Sequence, residues 1–207
     1  EISFKMNLNL KGKKVFITGS SKGIGFEIAR SFLEENCEVI INGRNRKNLL
    51  LAKKKLIKVK IIIGDVTKKK ISKNIAKKIS KMNGGIDILI CNVGSGSVNK
   101  KLNTLEGDWE ESFSKNFFSA TNIIESFKNN IIKNKGVIVC ISSICGNENI
   151  PGAPFSYSIA KSALNNYVKH LSKKFGKHQV RINAISPGNI LHKGSVWQKK
   201  IKKIQKK

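Results

Sequence analysis

Six short apolar runs recur along the chain, separated by stretches of helical spacing, and this alternation limits the possible folds more than any other feature. The runs cover residues 15–18, 39–41, 60–63, 86–91, 137–141 and 180–185. Apolar runs of this length, bounded by Gly, Asn, Asp or Ser, read as buried strands. Between them, sets such as Phe26, Ile28, Ala29, Phe32 and Leu33, or Ile71, Ile75 and Ile79, recur at three- and four-residue intervals and mark amphipathic helices. Strands alternating with helices build parallel βαβ units and a doubly wound α/β sheet. The natural strand order is 3-2-1-4-5-6. In such sheets ligands bind beyond the carboxyl ends of the strands.

What stands at those ends is therefore informative. The first strand runs into Gly19-Ser20-Ser21-Lys22-Gly23-Ile24-Gly25, directly before a helix. A glycine turn between strand and helix turns backbone N–H groups and a helix N-terminus towards a phosphate. Its G-x-x-x-G-x-G spacing differs from the general G-x-G-x-x-G fingerprint, and a plain glycine-rich turn stays open as an alternative. After the second strand, where an acid would hold the ribose hydroxyls of NAD, the chain has Arg44 followed by Asn45. A guanidinium grips a 2′-phosphate that a carboxylate would repel, and Lys22 adds a second cation. This chemistry favours NADP(H) over NAD(H).

The fifth strand ends at Ser142 and Ser143, and the next helical stretch carries Tyr157 and Lys161. Their four-residue spacing puts a phenol and an ammonium on one helix face. One ammonium at about 4 Å contributes roughly 4 kcal/mol at an effective dielectric near 20, about three pKa units, which would bring a tyrosine towards neutrality. Tyr157 would then serve as proton donor and acceptor, and Ser143 would hydrogen-bond a substrate oxygen. A buried tyrosine beside a snorkelling lysine gives the same spacing. Asn116 interrupts the apolar face of a long helix that carries Trp109, Phe113, Phe117, Ala120, Ile124 and Phe127, so it is either a functional group or a backbone hydrogen bonder.

Composition narrows the field. The 207 residues suffice for one domain with a real core. The 40 basic residues stand against 13 acidic ones, a formal charge of +27, which would ordinarily suggest nucleic acid. Yet Lys predominates alongside abundant Ile and Asn, spread evenly, which reads as A- and T-rich coding bias rather than a nucleic-acid surface. Cys37, Cys91, Cys140 and Cys145 form no CxxC pair, and His170, His178 and His192 have no partner at ligand spacing, so no metal site is expected. The thiols fit a reducing cytoplasm. No apolar run is long enough to span a membrane, and the first residues show no apolar signal pattern, so neither a span nor a secretory signal is expected.

In combination these features resemble a short-chain dehydrogenase/reductase of the compact branch that includes the beta-ketoacyl-carrier-protein reductases. Thr18-Gly19 with Gly23-Ile24-Gly25 is similar to that branch's cofactor turn, Asp65-Val66 to its adenine contact, and Asn92 with Gly94 to its post-strand signature. Asn116, Ser143, Tyr157 and Lys161 match its catalytic residues, and Pro187-Gly188 the turn beneath the nicotinamide. The resemblance implies a Rossmann-like fold and hydride transfer between NADP(H) and a small carbonyl compound or secondary alcohol. It further implies cofactor contacts from Ser21, Lys22, Arg44, Asn45 and Ile190, binding of the nicotinamide ribose by Lys161, and a relay water held with help from Asn116.

The expected layout is an extension over residues 1–10, one catalytic domain over 11–197, and a basic tail over 198–207 that reads as a truncated helix. There are departures from the pattern. Cys91-Asn92-Val93-Gly94 replaces Asn-Asn-Ala-Gly, the stretch between Ser143 and Tyr157 is one residue longer, and His192 stands in the place of a threonine. The family's seventh strand is expected to be missing from these 207 residues, which would leave the sixth as a sheet edge. A homodimer or homotetramer is implied only with that C-terminal part. The alternative reading is a truncated, inactive nucleotide-binding module. The loop after Pro187, with residues 91–96, is similar to reductases of bacterial surface-sugar pathways, while a ketoacyl thioester stays open as substrate.

Overall fold

A computed structural model of the chain describes residues 8–96, 109–191 and 198. Within it the strands are β1 (Lys14–Ile17), β2 (Glu38–Gly43), β3 (Lys60–Ile63), β4 (Ile88–Cys91), β5 (Val137–Ile141) and β6 (Arg181–Ile185). All pairings are parallel and the order is β3-β2-β1-β4-β5-β6, as the alternation of runs predicts. The expected extension up to residue 7, His192 and the tail beyond residue 198 lie outside the described residues.

The helices are α1 (Gly23–Glu34), α2 (Arg46–Leu56), α3 (Lys69–Asn83), α4 (Trp109–Phe113), α5 (Ser119–Lys133) and α6 (Phe155–Gly176). They divide the core into two layers. Ala29, Leu49, Ala52 and Leu56 pack with Val15, Ile17, Val39 and Ile41 on one sheet face. Ile75, Ile79, Ile124, Phe127 and Leu164 pack with Phe16, Ile40, Leu89 and Ile138 on the other. Successive strand residues point to opposite faces, so both faces of β1 are covered and its run is apolar throughout. Phe16 meets Phe127 with ring centroids 5.6 Å apart at the centre of the second layer. Among the described residues β6 pairs with β5 alone, and Ile185 on it is 54% exposed.

One expected helix is not continuous. Between α4 and α5 lies a π-helical turn, Ser114–Phe118, and Asn116 is buried within it. The widened turn rotates the buried face. Downstream, Ala120, Ile124 and Phe127 are buried as the spacing predicts, and Ile123 is buried with them; upstream, Ser112 and Asn116 face inward while Trp109 is exposed. A single π turn of this kind often marks a functional position.

Candidate active site

Polar side chains stitch the carboxyl ends of the central strands together. The Asn92 amide donates to the carbonyls of Thr18 and Gly19, both at 3.0 Å, and its backbone N–H donates to Thr18 Oγ1 at 3.0 Å. On the other side Asn42, 1% exposed, donates to the carbonyls of Ile62 and Gly64, each at 3.1 Å, and its own N–H meets Ser20 Oγ at 3.0 Å. These bonds hold the glycine turn between the ends of β4 and β2. Gly19 and Gly23 adopt φ of +62° and +60°, a region that disfavours any side chain. A Cβ on Gly25 would lie 2.4 Å from Asn92 Nδ2 and 2.8 Å from the Gly19 carbonyl.

Above this turn opens a cavity of about 420 Å³. Gly19, Ser21, Lys22, Gly23 and Ile24 line one wall, Arg44, Asp65 and Val66 an end, and Asn92 and Gly94 the β4 side. Ten of the residues expected to hold the cofactor are thus brought around one space. The turn fits a phosphate: α1 starts at Gly23 without a side-chain cap or an acid in its first turn, which leaves its N–H groups for an anion. Asp65 holds Arg44 at 3.5 Å and accepts from Thr67 N–H at 3.0 Å and Thr67 Oγ1 at 2.7 Å. Burial alone would raise the Asp65 carboxyl; the Thr67 hydrogen bonds and the Arg44 guanidinium outweigh it and hold the pKa below its ordinary value.

Some expected contacts have other duties. Asn45 is exposed and caps α2, accepting from Asn48 N–H at 3.0 Å. Asn92 spends its amide hydrogens on the turn, so it shapes the cavity from behind. Pro187, Gly188 and Ile190 follow β6 and do not line the cavity. Instead the Pro187 carbonyl accepts from Ile144 N–H at 3.1 Å, which fastens this loop to the segment after Ser143. Among cavity residues that sequence reasoning missed, Asn42 and Thr67 carry structural hydrogen bonds, and Lys115 lines the wall beside Gly94 and Ser95. A buried polar side chain ending an apolar strand was the available signal for Asn42.

The cavity leads to the second constellation. Ser142 and Ser143 directly follow β5, and both are buried. Lys161 is 3% exposed and donates from Nζ to the Ile141 carbonyl at 2.8 Å. Tyr157 lies one turn earlier on α6, half-buried, and its phenol is close enough to the Ser143 hydroxyl to be influenced by it. Gly94 joins the two regions, because a Cβ there would stand 3.0 Å from both Lys161 Nζ and Asn116 Oδ1. Asn116 clasps the next residue: its Oδ1 accepts from Ser95 N–H at 2.8 Å, and its Nδ2 donates to the Ser95 carbonyl at 3.1 Å and the Ser112 carbonyl at 3.0 Å. Of the two readings left open for Asn116, the backbone hydrogen bonder is the one seen directly.

The electrostatics correct one expectation. Burial pushes the Tyr157 phenol above its ordinary value, the Ser143 hydrogen bond pulling it down and Cys145 adding to the rise. Lys161, whose ammonium donates to the Ile141 carbonyl, is not among the groups that lower it. Burial instead lowers Lys161 itself from 10.5 to about 8, with Cys140 and Cys91 opposing. The arrangement keeps the phenol in its protonated form at neutral pH.

A sequence profile described as short chain dehydrogenase matches residues 13–202. The chain is 34% identical over 190 residues to a glucose 1-dehydrogenase of Gluconobacter oxydans, covering 87% of this chain and 70% of that protein. It is 33% identical over 191 residues to a 3-oxoacyl-[acyl-carrier-protein] reductase of Chlamydia muridarum, covering 89% and 77%. In structure it is similar to L-sorbose reductase from Gluconobacter frateurii complexed with NADPH and L-sorbose, with a TM-score of 0.88, 27% identity, and coverage of 97% and 78%.

Proposed function

Since the chain belongs to the short-chain dehydrogenase family of oxidoreductases acting between CH–OH and C=O, we propose that it is an NADP(H)-dependent enzyme with Tyr157 as its general acid/base. The observation that carries this reading is the continuity of the site: the cavity that holds the glycine turn, Lys22 and Arg44 meets Tyr157 and Lys161 across Gly94 and Gly96. The bound nicotinamide would supply or accept the hydride. Gly19, Ser21, Gly23 and the start of α1 hold phosphate, Asp65 and Val66 flank the adenine, and Arg44 with Lys22 reads the 2′-phosphate. L-sorbose reductase, similar in fold, was solved with NADPH, which supports the same nucleotide for this chain.

The chain's own groups divide the proton work. Ser143 donates a hydrogen bond to the carbonyl oxygen of the substrate. Tyr157, held protonated by burial, delivers the proton to that oxygen during reduction. Lys161 keeps a cation beside the nucleotide's ribose, and Asn116 fixes the Ser95 backbone that floors the site. Because the phenol is raised, reduction is favoured at neutral pH, and oxidation of the alcohol gains as pH rises.

The substrate is a small carbonyl compound or secondary alcohol, and the sugar and oxoacyl names of the relatives mark the two classes to test first. Four free cysteines, three of them buried, fit the cytoplasm. Exposed Phe118, Phe155 and Ile159 fit a homo-oligomer.

Fluorescence titration with NADPH and NADH tests the nucleotide assignment. NADPH should bind more tightly, and Arg44→Ser should remove that preference, on the order of tenfold, while leaving NADH affinity unchanged. Equal affinities in the unmutated chain would refute it.

A further inference from the structure

The cavity holds one cation to which no sequence motif points. Lys115 sits in the π turn Ser114–Phe118, next to Asn116, and lines the wall beside Gly94 and Ser95. Its side chain is 28% exposed, and its ammonium pairs with Glu111, one turn earlier. The backbone carrying it is anchored, since Ser119 Oγ donates to the Lys115 carbonyl at 2.7 Å. The wider turn lets consecutive residues serve different neighbours: Asn116 clasps Ser95 while Lys115 faces the cavity.

The cations around the cavity are spread along it. Lys22 belongs to the glycine turn, and Arg44, held by Asp65, stands at the end formed by β2 and β3. Lys115 approaches from the β4 side, and β4 lies directly beside β1. In this fold class the turn after β1 receives the pyrophosphate, whereas the end of β2 receives the adenosine ribose and its 2′ substituent. Lys115 is therefore on the β1–β4 side of the cavity, away from Arg44, and Asp65, the carboxylate among the described residues that line the cavity, is engaged by Arg44 at the other end.

We infer that Lys115 binds the pyrophosphate common to both nicotinamide nucleotides, and that Glu111 competes with the nucleotide for its ammonium. The inference rests on the nucleotide-binding reading of the cavity. It differs from the role of Arg44 in a measurable way. Arg44 separates NADPH from NADH, whereas Lys115 acts on both alike.

The test is a set of NADPH and NADH titrations by fluorescence at low and moderate salt, on the unmutated chain, Lys115→Met, Glu111→Gln and the double variant. Lys115→Met should weaken both nucleotides by the same factor, on the order of tenfold, as expected for one charge-assisted contact. It should also make the affinity less sensitive to salt. Glu111→Gln should tighten both about twofold, the strength of an exposed pair one turn apart, and the double variant should match Lys115→Met. Thermal unfolding checks each variant; Lys115→Gln replaces Met if the latter perturbs folding, and Lys115→Arg should retain the original affinity. Affinities unmoved by Lys115→Met, or loss confined to NADPH, would overturn the inference while leaving the nucleotide site intact. Failure of the unmutated chain to bind either nucleotide would overturn both readings.

Discussion

Replacing Lys161 by Met should make the protein more stable at neutral pH and less stable at high pH. Lys161 is 3% exposed, and burial lowers its pKa from 10.5 to about 8. Its folded value lies below its unfolded one, so the penalty for holding the ammonium in the core is complete below pH 8. That penalty fades between pH 8 and 10.5, where only the unfolded chain still binds the proton. At 1.36 kcal/mol per unit it amounts to about 3 kcal/mol. Against it stands the hydrogen bond from Nζ to the Ile141 carbonyl at 2.8 Å, which contributes about 1 kcal/mol at every pH. Methionine fills a similar volume without a charge. Lys161→Met should therefore be about 2 kcal/mol more stable than the unmutated chain at pH 7 and about 1 kcal/mol less stable near pH 10.5. Urea unfolding of both proteins across that range measures the difference, and titration of the shared lysines and tyrosines cancels in it. Parallel stability curves would refute the reasoning, since they would show that the buried lysine bears no ionisation penalty.

Three further outcomes follow from the same geometry. Gly25→Ala places a methyl 2.4 Å from Asn92 Nδ2 and 2.8 Å from the Gly19 carbonyl, so it should cost about 2–4 kcal/mol in urea unfolding and abolish nucleotide binding. Asn116→Ala deprives the Ser95 N–H of its acceptor and the Ser95 and Ser112 carbonyls of a donor; calorimetry should show a loss of about 2–3 kcal/mol, with turnover falling further than NADPH affinity. The pH profiles of the two reaction directions should diverge: burial holds the Tyr157 phenol protonated, so initial rates of alcohol oxidation should climb with pH above neutrality while carbonyl reduction does not.

The parts of this molecule legible in its sequence are those fixed by local chemistry. Residues 15–17 are apolar at every position because β1 is covered on both faces, and the glycines after it answer to backbone angles and close contacts that allow no side chain. The π turn was not legible, because Phe113, Phe117, Ala120 and Ile124 satisfy ordinary helical spacing; only the buried polar pair Ser112 and Asn116 betrays the shift. Lys115 was hidden among the many lysines of a strongly basic chain, and its place at the cavity depends on that turn. The direction of the Tyr157 shift was misjudged for a related reason. Spacing on α6 places Lys161 near the phenol, but the ammonium's actual partner is a carbonyl at the end of β5, 20 positions away in sequence. Asn92 and Asn45 were found as polar residues at strand ends, yet their hydrogen bonds serve the turn and the α2 cap.

The most direct test of the proton-transfer assignment is Tyr157→Phe, measured as NADPH oxidation against ketoses, aldehydes and 3-ketoacyl thioesters alongside NADPH titration of the same variant. Substrates turned over by the unmutated chain should lose nearly all rate, while NADPH affinity stays within about twofold, since the lost hydroxyl removes the proton donor and leaves the cavity lining in place. Turnover preserved in Tyr157→Phe would contradict the assignment of this residue as the general acid.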